Sequence, residues 1–169
     1  MSTGDSAALQ GLAGTMRGLR DTFRSLTQSG EGAEYTTDTP MSPGTYRAVF
    51  VGPALLRIAA PRAIAVAGMP HWYGKRVHAD GTAANLLGRD NGTPREHLPI
   101  AVALEQSWLD GRPAVTVSYG ADAPIPWRWV RDEFRALDER TWLGLTFVGG
   151  SWSRRAASPF VLVRDDDRP

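Results

Sequence analysis

A chain of 169 residues, 42% hydrophobic and 22% charged, has the length and balance of one globular domain with its own core. Nineteen basic residues face eighteen acidic ones, and a net charge of +1 argues against broad electrostatic capture of nucleic acid or of an anionic membrane. The absence of cysteine excludes disulfides, thiol nucleophiles and thiolate metal sites. Within the basic set Lys75 is the only lysine; every other member is arginine.

Met1 to Gln10 is polar, with no basic stretch leading into an apolar run, so no signal peptide is expected and a cytoplasmic location is the default expectation. Leu9, Leu12, Met16, Leu19, Phe23 and Leu26 then recur every three or four residues, one apolar stripe on a helix within residues 1–28. Asp5 or Ser6 can cap it, while Gly11, Gly14 and Gly18 weaken it, so it needs a surface to dock on. That surface is the domain itself or a second copy in a homodimer; the remaining alternative is a mobile lid. Residues 29–43 read as a linker, rich in Gly, Thr and acids and broken by Pro40 and Pro43.

The folded body is expected over residues 44–164. Thr45 to Val51 is strand-like, and Pro53 to Ala67 predicts one or two short helical turns, since Pro53 and Pro61 suit first helical positions. The longest apolar stretch, Ala48 to Met69, is too broken by Gly, Pro and Arg to cross a membrane. Trp72 to His78, Leu98 to Trp108, Pro113 to Tyr119, Trp127 to Leu137, Thr141 to Val148 and Pro159 to Arg164 follow as strands. Asp110-Gly111 and Asp138-Glu139-Arg140 supply turns. Six or more strands on short turns predict a mainly β fold, a closed antiparallel barrel or a sandwich. Residues 165–169 read as a charged, frayed tail.

Three stretches carry a resemblance. Gly44-Thr45-Tyr46-Arg47-Ala48 is similar to a Gly-x-Trp-x-Gly opening, with Tyr46 in place of tryptophan and Ala48 in place of the second glycine. His71-Trp72-Tyr73-Gly74-Lys75-Arg76-Val77 is similar to a Trp-Tyr-Gly-Lys-Arg-Phe signature, with Val77 in place of phenylalanine. Asp132 to Asp138, followed by Leu143-Gly144, is similar to an Asp-x-Phe-Arg-x-x-Asp…Leu-Gly run. In this order the motifs resemble the GXWXG-type domain family, from about Gly44 to Arg164. The resemblance implies a lipocalin-like β-barrel.

Strand alternation speaks to Lys75 independently. On an extended segment Tyr73, Lys75 and Val77 share one face. On the strand from Trp127, the more apolar face carries Val130, Asp132, Phe134 and Ala136, which places Asp132 on the core side. A buried carboxylate needs a partner, and Lys75 is expected to pair with it, directly or through the Tyr73 hydroxyl. Such a pair either fixes the barrel or lines a pocket. In the pocket reading a lysine with a burial-lowered pKa acts as a base or Schiff-base former, and a cationic one stabilises an oxyanion. His71 is a general acid or base if it points into the same cavity.

The walls of such a cavity are expected from Met69, Tyr46, Trp72, Phe134, Trp127 and Trp129. The histidine spacing is no zinc pattern, and no metal or cofactor is expected. No Walker loop, Gly-x-Gly-x-x-Gly, Gly-x-Ser-x-Gly elbow or RNA-binding signature occurs. The expected function is therefore binding of an apolar small molecule in a barrel. One form is a cofactor-free cyclase or isomerase working by proximity, with Lys75, Asp132, His71 and Tyr73 as the polar groups. The alternatives are a carrier or sensor of a hydrophobic ligand, and an interaction module using the N-terminal helix. Neither nucleic-acid binding nor membrane insertion is expected.

Overall fold

The computed structural model describes residues 14–26, 41–88 and 92–166. Eight antiparallel strands close into a barrel in which every strand pairs with its sequence neighbour and the last returns to the first. They are β1 (Gly44–Phe50), β2 (Trp72–Val77), β3 (Ala83–Leu87), β4 (Arg95–Gln106), β5 (Pro113–Ser118), β6 (Val130–Ala136), β7 (Thr141–Val148) and β8 (Ser158–Arg164). The expected mainly β, closed-barrel class is thus what forms. β3 is the strand that periodicity does not reveal. All five of its residues are buried, so it shows no polar alternation, and its Ala, Asn and Leu are weak strand formers.

Among the described residues two helices accompany the barrel, α1 (Met16–Ser25) and α2 (Ala54–Val66). The caps expected at Asp5 or Ser6, and Leu9 and Leu12 of the stripe, lie outside the described residues. Within them the N-cap of α1 is Thr15, whose hydroxyl accepts from the Gly18 amide at 3.1 Å. Leu19 and Phe23 bury themselves against the outer face of β7 and β8, among Leu143, Leu145, Val161 and Val163. The described part of the stripe therefore docks on its own barrel.

α2 corrects the expectation of short turns: it is one helix of 13 residues running through Pro61. None of its residues is buried, so water can take the carbonyl that Pro61 leaves without a donor. Another correction falls at Trp127 to Trp129, which form a 3-10 turn ahead of β6 rather than its first residues. The linker and tail are also shorter than expected. Met41 is fully buried in the barrel core. Asp165 is pinned by its amide to the Thr45 carbonyl at 2.8 Å, and Asp166 pairs with Arg140 and Arg164.

Strand alternation splits the core in two. Val115, Val117, Val130, Phe134, Phe160 and Leu162 fill the barrel interior, while Leu143, Leu145, Phe147, Val161 and Val163 face outward under α1. β6 shows the division of labour most clearly. Its inner face carries Asp132 and Phe134, and its outer face carries Glu133 and Arg135, both fully buried. Glu133 accepts from the Ser107 hydroxyl, the Trp108 amide at 2.8 Å and Arg131 Nε at 3.0 Å, which fixes the β4–β5 turn. Arg135 forks onto Asp110 at 2.7 and 2.8 Å and donates to the Phe23 carbonyl at 2.8 Å, with its guanidinium over the Phe23 ring. This arginine clamps the end of α1 to the barrel wall.

Candidate functional site

One end of the barrel is open. The β1–β2 connection containing α2, the β5–β6 connection and the β7–β8 connection all rise from it. Between α2 and the strands lies a cavity of about 280 Å³. Leu56, Ala59, Ala60, Ala63 and Ile64 of α2 roof it, and Phe50, Met69, Trp72, Trp127, Val130 and Phe160 wall it. Asp132, Tyr119 and Thr146 bring the polar groups to an otherwise mostly apolar lining.

Those polar groups belong to a buried network centred on Lys75. Lys75 Nζ lies 3.0 Å from Asp132 Oδ2, with both side chains nearly inaccessible to water. Nζ also donates to Asn85 Oδ1 at 3.2 Å and to the Tyr119 hydroxyl at 3.5 Å, and it sits about 5.5 Å from the Trp72 and Tyr119 ring centres. The Thr146 hydroxyl donates to Asp132 Oδ1 at 2.7 Å. Trp72 Nε1 donates to Asn85 Oδ1 at 3.0 Å, and Asn85 in turn donates to the Leu98 carbonyl at 3.3 Å. Leu98 occupies the left-handed region (φ 53°), beside a register shift between β3 and β4. The bulge presents that carbonyl to Asn85.

Burial pushes the Lys75 ammonium toward its neutral form, but the Tyr119 and Asp132 charges and hydrogen bonds outweigh it, so the pKa lies above the ordinary 10.5. Asp132 is the nearer of the two, at 3.0 Å from Nζ. Of the two readings of Lys75, neutral base or cationic group, this direction favours the cationic one. Burial also raises the Tyr119 pKa, keeping the phenol a hydrogen-bond donor.

The ion pair between Lys75 and Asp132 forms directly, without the Tyr73 hydroxyl. A bulge between Trp72 and Gly74 breaks the strand alternation at the start of β2. It turns Trp72 into the cavity, whereas the Tyr73 hydroxyl donates to Asp165 beyond the far end of β8. Gly74 permits this, because a Cβ there would stand 2.0 Å from the Tyr46 carbonyl oxygen. His71 is exposed, with a left-handed backbone (φ 55°), and its side chain is not part of the lining. Neither Tyr73 nor His71 is brought to the Lys75–Asp132 pair.

Among the expected wall residues, Trp72, Met69 and Trp127 line the cavity. The Trp127 indole is fixed by a 2.6 Å bond to the Ala67 carbonyl and packs 5.5 Å from the Tyr119 ring. Tyr46 is buried in the barrel interior with its hydroxyl on the Ser42 carbonyl, and Phe134 packs edge-on against Phe160; neither lines the cavity. Trp129 is half exposed on the rim. Tyr119, Asn85 and Thr146 join the site without being singled out by the sequence motifs. Tyr119 follows Val115 and Val117 at strand spacing, and Asn85 is a lone amide in the run Ala83 to Leu87; those were their signals. Among the described residues no cluster of three or more His, Asp or Glu is placed to hold a metal ion.

Neither a protein-family model nor a curated protein sequence matches this chain. A crystal structure of a protein from Thermomonospora curvata has the same fold. It is 17% identical, with a TM-score of 0.60 over 96% of this chain and 97% of that one.

Proposed function

We propose that this barrel binds an apolar small molecule bearing one polar group. The observation that carries the reading is the cavity itself: an apolar chamber whose polar contacts cluster at Asp132, Tyr119 and Thr146. A cavity of about 280 Å³ is close to the lower limit, about 300 Å³, of pockets for drug-sized ligands. It is nearly twice the roughly 150 Å³ that accepts benzene, so it suits a body of two or three fused rings or a short terpenoid-like chain. The ligand's polar group would meet the Tyr119 hydroxyl as donor or Asp132 as acceptor. The resemblance to GXWXG-type domains is consistent with a barrel of this kind and rests on the motif residues alone.

A catalytic form of the same reading is a cofactor-free cyclisation or isomerisation. It is favoured by one feature, the juxtaposition of the Tyr119 phenol, kept protonated by burial, and the Asp132 carboxyl group, which Lys75 holds in place at 3.0 Å. Lys75 would act through Asp132 and Tyr119, since it does not itself reach the lining. The test begins with native mass spectrometry of the purified protein for a retained ligand, followed by titration of that compound. Ala60→Trp should abolish binding by filling the cavity while leaving the circular dichroism spectrum intact. Unchanged affinity in the folded Ala60→Trp protein would place the ligand elsewhere. Turnover lost in Tyr119→Phe with binding retained would favour catalysis over carriage.

A further inference from the structure

We infer that the open end of the barrel docks on an anionic lipid surface. The large apolar side chains exposed on this molecule are concentrated there. Leu55 (78% exposed), Ile58 and Val66 (91%) project from α2, Ile125 and Trp129 (51%) from the β5–β6 side, and Val148 and Trp152 (78%) from the β7–β8 side. Only Leu104, among the large hydrophobics described as exposed, lies elsewhere. They come from the end of β7 and from the three connections that rise at the cavity's end of the barrel, and form its apolar collar.

Charge follows the same division. In the described connections at this end, Arg57, Arg62, Arg128, Arg154 and Arg155 are exposed against the lone acid Asp122. None of these arginines forms an ion pair among the described residues. The opposite end carries Asp80, Asp110, Asp138, Glu139, Asp165 and Asp166 against Arg112, Arg140 and the two strand arginines Arg135 and Arg164, which pair with Asp110 and Asp166. A net charge of +1 thus conceals a molecule with a basic, apolar face and an acidic back.

Apolar side chains interleaved with arginine and tryptophan suit the boundary between lipid headgroups and acyl chains. Arg128 lies over the Trp129 ring at 5.3 Å, pairing one basic with one aromatic group on the collar. A second copy is a poor occupant, because mouth-to-mouth pairing sets arginine against arginine. An anionic bilayer matches both features of the face. It would also place the cavity mouth against the phase in which an apolar ligand dissolves. Docking itself does not depend on the cavity being filled.

The test is co-sedimentation of the full chain with phosphatidylcholine vesicles, with and without about 30 mol% phosphatidylserine. Binding is expected only with phosphatidylserine and should weaken with salt. Arg154→Gln with Arg155→Gln, and separately Arg57→Gln with Arg62→Gln, should each lower the partition coefficient about tenfold or more. Trp152→Ser should weaken it, and Asp138→Asn with Glu139→Gln should not. Failure to bind these vesicles, equal binding to neutral vesicles, or binding unaffected by both arginine pairs in folded variants would overturn the inference. So would a protein partner, or a second copy, held by this face while vesicles are ignored.

Discussion

Replacing Asp132 by asparagine keeps the size of the side chain and removes its charge. At 3.0 Å and an effective dielectric constant of about 20, the attraction lost with Lys75 is roughly 5–6 kcal/mol. Removing one partner of such a buried pair typically costs about 3–5 kcal/mol, because the other charge is left in place without compensation. That is a large share of the stability of an ordinary domain, about 5–15 kcal/mol. Urea unfolding at pH 7, followed by circular dichroism, should show a loss of this size in Asp132→Asn. The double variant Lys75→Met with Asp132→Leu should recover most of it, since no charge is then buried. Acidity gives a second readout. In the native protein Lys75 holds its proton more tightly folded than unfolded, so its contribution is intact below about pH 10 and fades only above that. In Asp132→Asn burial prevails and the folded pKa falls below the unfolded one, so stability should rise between about pH 7 and 10. A loss under about 1 kcal/mol, no recovery in the double variant, or no difference between the two pH profiles would refute the reasoning.

Gly74→Ala should destabilise by about 3 kcal/mol or more, measured by urea unfolding, because backbone rather than a yielding side chain occupies the space of the new methyl. Arg135→Met should cost about 2–4 kcal/mol and selectively raise hydrogen exchange in α1, whose Phe23 carbonyl loses its donor. Asp110 has its pKa lowered, burial being outweighed by the hydrogen bonds from Arg135 and Arg112. Its contribution to stability is present above about pH 4 and should disappear as acid is added, an effect absent from Asp110→Asn in acid titrations monitored by fluorescence.

Alternation made much of this legible before any coordinates. Val130, Asp132, Phe134 and Ala136 form the more apolar face of β6, and an inward carboxylate calls for a cation; Lys75 was the answer. The density of short strands and turns points to a closed barrel or a sandwich, and the motif resemblance to the barrel. What stayed hidden was whatever alternation does not encode. The bulge at Trp72–Gly74 exchanges the faces of neighbouring residues, which is why Tyr73 was expected inside and lies outside. His71 is near Lys75 in the chain but not in space, because its left-handed backbone lies ahead of the bulge and leaves the side chain exposed. β3 is buried on both faces and so presents no period at all. Net charge summed over the chain concealed its separation between the two ends of the barrel, because a sum carries no positions.

The seam between β1 and β8 bears on how the barrel can come into being. Seven of the strand pairings join neighbours in sequence and can zip as hairpins. The eighth joins Tyr46 to Arg164 and Phe50 to Phe160, and it cannot form until the last strand has been made. During synthesis, therefore, β1 and β7 both remain open edges, liable to pair with other chains, until β8 leaves the ribosome. A chain cut before Ser158 would not be a slightly shorter barrel. It would be an open sheet with two unguarded margins.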